Sequence, residues 1–274
     1  MTSPYQGLGA LVTGASSGIG AAVARLLAAD GARLALTARR ADRLLALVGE
    51  CRALGSPAVQ AIPDDLADRG APARIAATAG AALGAVDVLV NNAGFAVPGL
   101  SERAPTERVT TMIEVNVTAH VALTRLLLPG MLERGTGYVL TVASMAGILP
   151  APYQAGYAGT KAFLLNWSES LREEVRARGV RVTALCPGIT DTEFFEAAGY
   201  KGSNKFTNSK MPAARVARAG LRALAKGRPR VVPGAINKTL AFVGMRLSPR
   251  WVVQAVARKL MARRPPPSRS PAKE

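Results

Sequence analysis

Residues 9–40 read GALVTGASSGIGAAVARLLAADGARLALTARR. The apolar run GALVTG (9–14) has the length and glycine boundary of a buried strand, and IGAAVARLLAADGA (19–32) that of a helix. Between them TGASSGIG (13–20) places Gly14, Gly18 and Gly20 in a strand-to-helix turn. Glycines there let backbone approach a pyrophosphate, and a helix N-terminus offers free N–H groups and a positive dipole end. The spacing G-x-x-x-G-x-G differs from the commoner G-x-G-x-x-G, and taken alone the glycines also fit a tight turn with no ligand. A second strand, RLALTA (33–38), ends in Arg39 and Arg40. In a doubly wound nucleotide fold this strand end meets the adenosine ribose, where an acidic residue suits a free 2′-OH and an arginine a 2′-phosphate. The first acidic residue after it is Asp42, already in the next helix, and Ser17 can add a hydroxyl. The two arginines therefore read as a preference for NADP(H) over NAD(H), against the plainer reading of two exposed charges.

The same alternation continues along the chain. AVQAI (58–62), VDVLVNNAG (86–94), GYVLTVAS (137–144) and VRVTALCPG (180–188) are strand-like, and a short RVVP (230–233) is a candidate seventh. Helical stretches follow the second to fifth, the longest near 105–133 and 155–178. Continuous Val/Leu/Ala strands alternating with helices predict one doubly wound α/β Rossmann-type domain, a parallel sheet of about seven strands covered on both faces. With 274 residues and 49% apolar content the chain needs neither disulfide nor metal to fold. Cys51 and Cys186 are far apart and fit no metal spacing, so they read as buried thiols in a reducing compartment. No signal peptide and no bilayer-spanning stretch is read, and the expected setting is cytoplasmic.

A chemical centre emerges in SMAGILPAPYQAGYAGTK (144–161). Tyr157 and Lys161 stand at i, i+4 and share a helix face. An ammonium beside a phenol favours the phenolate, which fits tyrosine for proton exchange with a carbonyl or alcohol oxygen. Ser144, at a strand end, can donate a hydrogen bond to that same oxygen. His120 is the only histidine, so neither a Ser-His-Asp triad nor a multi-histidine metal site can form. It stands one helical turn beyond Asn116 and reads as a structural residue.

Taken together, TGASSGIG, NNAG (91–94), Asn116, Ser144, YAGTK (157–161) and CPG (186–188) occur in an order and spacing that resemble the short-chain dehydrogenase/reductase family, over roughly residues 7–235. The resemblance implies a catalytic tetrad of Asn116, Ser144, Tyr157 and Lys161. Tyr157 would protonate the carbonyl oxygen, Ser144 hold it, Lys161 also bind the nicotinamide ribose, and Asn116 shape a helix kink that positions a proton-relay water. It implies cofactor contacts from Gly14, Ser16, Ser17, Gly18, Ile19 and Gly20 in the first turn, and Arg39 and Arg40 after the second strand. Asp65 and Leu66 would stand at the adenine, and Asn92, Ala93 and Gly94 along the adenosine ribose, with Asn91 stabilising the sheet. Pro187, Gly188, Ile189 and Thr190 would border the nicotinamide carboxamide. Residues 192–206 fall where family members carry a substrate lid, within a lid region of about 190–226. Its Phe194, Phe195, Tyr200 and Phe206 hint at an apolar substrate. Family members usually pair through the two long helices, so a homodimer or homotetramer is expected.

Charge divides the chain unevenly. Residues 1–200 hold 17 Lys+Arg and 17 Asp+Glu, whereas 201–274 hold 18 Lys+Arg against Glu274 alone. The expected organisation is a catalytic domain over 1–235, a basic helical extension over 236–262 and a disordered tail over 263–274. Pro249 breaks the extension, and PRWVVQAVARKLMARR spaces Trp251, Val252, Ala255, Val256 and Leu260 near helical period among arginines and lysines. Three readings stay open for it: a cap on the substrate pocket, packing on another subunit, and peripheral contact with an anionic membrane. Nucleic acid is not expected, because the basic residues are spaced singly without interleaved aromatics. The expected function is NADP(H)-dependent interconversion of a ketone or aldehyde with an alcohol, the small-molecule substrate itself being open. The alternatives are a 3-oxoacyl-thioester reductase and a non-catalytic NADP-binding scaffold.

Overall fold

The computed structural model describes residues 3–194, 198 and 210–261. The parts of the expected lid holding Phe195, Tyr200 and Phe206, and the tail from residue 262, lie outside the described residues. Strands β1 (Gly9–Thr13), β2 (Arg33–Ala38), β3 (Val59–Pro63), β4 (Val88–Asn91), β5 (Gly137–Val142) and β6 (Val180–Leu185) alternate with helices α1 (Gly18–Ala29), α2 (Ala41–Ala53) and α3 (Ala71–Leu83). Between β4 and β5 run α4 (Thr106–Ile113), a π turn (Glu114–Thr118) and α5 (Ala119–Glu133), and α6 (Ala155–Val175) leads to β6. Beyond it come β7 (Thr190–Asp191), β8 (Met211–Pro212), α7 (Ala213–Ala225) and β9 (Arg230–Val231). The chain continues into α8 (Ala235–Phe242), a second π turn (Val243–Leu247) and α9 (Arg250–Met261).

Seven strands form one parallel sheet in the order β3-β2-β1-β4-β5-β6-β9, with β7 and β8 paired separately. Strand order reverses between β1 and β4, where Val12 stands opposite both Leu36 and Val90. A crevice therefore opens beyond the carboxyl ends of β1 and β4, the place where doubly wound sheets bind ligands. Period-two alternation sends Val12, Leu34, Leu36 and Val90 to one face, against Val23 and Leu27 of α1, Leu44 of α2 and Leu221 of α7. Leu11, Leu89, Val139 and Val182 point to the other, against Ile75 of α3, Leu123 of α5 and Leu171 of α6. Burial on both faces is the reason these strands read as nearly unbroken apolar runs.

One expectation needs correction. The continuous helical run Thr106–Glu133 has the length, and a mean hydropathy of 1.2 over its most apolar window, that a spanning helix requires. Polar residues such as Asn116, His120 and Arg125 interrupt the apolar run in the sequence. In the fold Met112, Leu123 and Met131 of this run are fully buried against the domain, so one face of it packs on the protein's own interior.

Candidate active site

The glycine turn is built by close approach. Gly14 and Gly18 have φ of +63° and +56°, a left-handed conformation that costs glycine nothing. A Cβ on Gly14 would lie 2.8 Å from Ala93 Cα and from Asn92 Nδ2. Asn92 Nδ2 donates to Thr13 O at 2.9 Å and Gly14 O at 3.2 Å, and Thr13 Oγ1 accepts from the backbone N–H groups of Asn92 and Ala93. The ends of β1 and β4 are thus clamped together under the crevice. Gly14, Ser16, Ser17, Gly18 and Ile19 line it. Gly20 does not: a Cβ there would meet Gly14 O at 2.4 Å, so its lack of a side chain lets α1 seat on the turn.

At the exit of β2 the two arginines part company. Arg40 donates to Ser16 Oγ at 3.0 Å, Ser17 Oγ at 2.9 Å and Glu193 Oε2 at 2.9 Å. Arg43 donates to the other oxygen of Glu193. Beside these guanidinium groups the Glu193 carboxyl is held below its ordinary range. Arg39 lines the crevice and is exposed. A guanidinium flanked by two serine hydroxyls is a ready cradle for a phosphate. Asp65 and Leu66 line the same end, with Asp65 Oδ1 accepting from Ala67 N.

The chemical centre sits further along the crevice. Ser144, Tyr157 and Lys161 all line it, as do Ala93, Gly94, Pro187, Gly188, Ile189 and Thr190. Ser144 Oγ accepts from Ala146 N at 3.1 Å, which fixes the oxygen and leaves the hydroxyl hydrogen to donate. Lys161 is fully enclosed, donates to Val142 O at 2.8 Å and stands 5.8 Å from the centre of the Tyr157 ring. Burial pulls its pKa down to about 8. The Tyr157 ring packs on Phe194 at 5.5 Å. Asn116 is completely buried and does not line the crevice. Its Oδ1 accepts from Phe95 N, and its Nδ2 donates to Phe95 O and to Thr160 Oγ1 at 3.0–3.1 Å. Thr160 Oγ1 donates in turn to Tyr157 O at 2.7 Å. Asn116 therefore ties the π turn to the backbone of the Tyr157 helix from behind the wall.

The crevice encloses about 1290 Å³, above the roughly 300–1,000 Å³ of a pocket for one small ligand. Its length from Arg40 past the glycine turn to Tyr157 suits a dinucleotide with a substrate beside it.

Residues 9–201 match the family model for short chain dehydrogenases. The chain belongs to the short-chain dehydrogenase/reductase family. It is 42% identical over 190 residues to a short chain dehydrogenase of Pseudocercospora fijiensis, covering 69% of this chain and 61% of that one. It is 34% identical to the ketoacyl reductase HetN of Nostoc, covering 65% and 62%. The matched region spans about three fifths of the length of these two relatives. Identity to an NADP-dependent 3-hydroxy acid dehydrogenase of Salmonella typhi is 37%, covering 71% and 77%. Among solved structures, a short-chain dehydrogenase from Sphingobium yanoikuyae in complex with NADPH superposes with a TM-score of 0.76 at 28% identity, covering 97% of both chains.

The crevice of this family member also holds residues that motif reading missed. Glu193, 153 positions from Arg40, is invisible without the fold. Asn237 of α8 stands so close to Gly188 that a Cβ there would lie 2.5 Å from its Nδ2, so the C-terminal extension forms part of the crevice wall. Arg108, Lys210 and Arg215 stand along the wall as well. His120 Nε2 lies 2.8 Å from Ala93 O, and burial with the nearby Lys161 charge drives its pKa down to about 3. A neutral imidazole with Nε2–H donating to Ala93 O is a strut, which matches its reading as structural.

Proposed function

We propose that this chain is an NADP(H)-dependent oxidoreductase that interconverts a ketone or aldehyde with the corresponding alcohol. The observation that carries the cofactor choice is Arg40 bound to both Ser16 and Ser17, a cationic cradle at the strand end where a 2′-phosphate would sit. An NADPH-bound structural relative and an NADP-dependent sequence relative support the same reading. Backbone of Gly14 and Gly18 would face the pyrophosphate, Asp65 and Leu66 the adenine, and Pro187–Thr190 the carboxamide. When bound, the nicotinamide supplies or accepts the hydride.

The chain's own groups handle the proton and the oxygen. Ser144 donates a hydrogen bond to the substrate oxygen and orients its carbon. Tyr157 gives its phenolic proton to that oxygen in reduction and takes it back in oxidation. The Lys161 ammonium stabilises negative charge on the phenol oxygen as the proton leaves. Asn116 acts as a positioning residue, holding the turn of α6 that carries Tyr157. Homo-oligomer formation through the long helices is supported by Ile113, Leu126 and Phe163, large apolar side chains exposed on α4, α5 and α6.

A second reading, reduction of a 3-oxoacyl thioester, is favoured by Arg108, Lys210 and Arg215 along the crevice, which suit a phosphopantetheine, and by the ketoacyl reductase relative. Fluorescence titration of NADPH and NADH against wild type and Arg40→Ala tests the cofactor reading. A preference above tenfold, about 1.4 kcal/mol, that collapses in the variant supports it, and equal binding of both cofactors refutes it. Turnover of free ketones against acyl-carrier thioesters then separates the two substrate classes.

A further inference from the structure

Eight of the thirteen large apolar side chains exposed among the described residues fall within residues 236–256. Ile236, Leu240, Val243 and Leu247 follow i, i+4, i+7, i+11 along α8 and its π turn, so they form one stripe, exposed from 38% at Val243 to 73% at Ile236. Phe242, on another side of α8, and Trp251, on α9, are exposed as well, and Ala241 is the buried residue of α8. Ile236 and Leu240 also line the crevice that reaches Tyr157, so the stripe runs to the mouth of the site. Around it stand Lys238, Arg246, Arg250, Arg258 and Lys259, all exposed. No Asp or Glu occurs between Glu196 and Glu274.

We propose that α8, its π turn and α9 form a docking surface for an anionic lipid bilayer, with the mouth of the crevice at the membrane. Charge selects this occupant. A second copy meeting this face across a two-fold axis would bring the same uncompensated positive charge against itself. A nucleic acid would take the arginines and leave the apolar stripe in water. An acidic bilayer takes both, apolar groups sinking to the acyl boundary while the basic residues are drawn to the anionic headgroups. Trp251, apolar in body with one N–H, suits the headgroup level. The proposal does not depend on the cofactor or substrate reading.

The full chain is spun down with phosphatidylcholine vesicles and with vesicles one third phosphatidylglycerol, at low and high salt. Partition at least about tenfold stronger on the anionic vesicles, lost at high salt, is expected. Tryptophan emission is followed in parallel, because Trp251 is 71% exposed whereas Trp167 packs on the core. The expected blue shift on anionic vesicles persists in Trp167→Phe and vanishes in Trp251→Phe, a conservative change on an exposed helix. No partition on either vesicle, or equal partition on both without a Trp251 shift, overturns the proposal. So does equally tight, salt-sensitive binding of a DNA duplex with no blue shift. A Leu247→Glu variant of unchanged circular dichroism that turns a dimer into a monomer, with wild type ignoring vesicles, assigns the face to a second copy instead.

Discussion

Tyr157 and Lys161 lie one helical turn apart, both enclosed, with the ammonium 5.8 Å from the phenol ring. Tyr157→Phe deletes only the hydroxyl and keeps the ring on Phe194, so kcat is expected to fall about 10²–10⁴-fold while cofactor affinity, read by titration, holds. Lys161 is charged below its pKa of about 8, well under the ordinary 10.5. Ketone reduction should therefore decline as pH rises through about 8, and Lys161→Arg, charged throughout, should move that limb upward. An unmoved limb in the pH profile of kcat assigns it to another group. Stability has the opposite sign: between about 8 and 10.5 the unfolded chain holds the Lys161 proton more tightly, so burying it costs stability below pH 8 and that cost fades as pH rises. Arg40 illustrates competition at one guanidinium. Exposed ion pairs contribute about 0.2–1 kcal/mol, so Glu193→Gln should tighten NADPH by up to about fivefold and leave NADH unchanged in parallel titrations. An equal change for both cofactors refutes competition for Arg40.

At the scale of elements, the π turn Glu114–Thr118 is where the helix expected over 105–133 departs from regular form, at the residue whose kink the family resemblance implied. Its cause is the Asn116 side chain, whose amide bonds the backbone of Phe95 at both N–H and C=O. Asn116→Ala would leave those groups and Thr160 short of a partner in the interior, at roughly 1–3 kcal/mol for each orphan. A lowered melting temperature together with reduced kcat is the expected result, and an unchanged melting curve counts against the strut. The strands show a milder form of the same effect. Apolar content placed the fourth at 86–94, yet β4 runs Val88–Asn91, because pairing begins where Ala10 meets Val88 and ends where Asn91 meets Thr141. Composition locates a strand, and its neighbours trim it.

For the molecule as a whole, the exposed Leu126 of α5 and Phe163 of α6 predict that a Phe163→Glu, Leu126→Glu double variant sediments as a smaller species than wild type, with its secondary structure unchanged. An unaltered sedimentation coefficient removes those helices as the interface. Much of the molecule is local chemistry and so was legible along the chain. Strands buried on both faces must be apolar throughout, Gly14 and Gly18 must adopt positive φ, and Tyr157 and Lys161 share a face by helical period alone. Asn116 behind the wall, Gly20 beneath its turn, Glu193 bonded to Arg40 and Asn237 against Gly188 are of another kind. Each depends on a partner that only chain packing brings near, and a side chain's direction is set by what surrounds it, which no spacing along the sequence encodes.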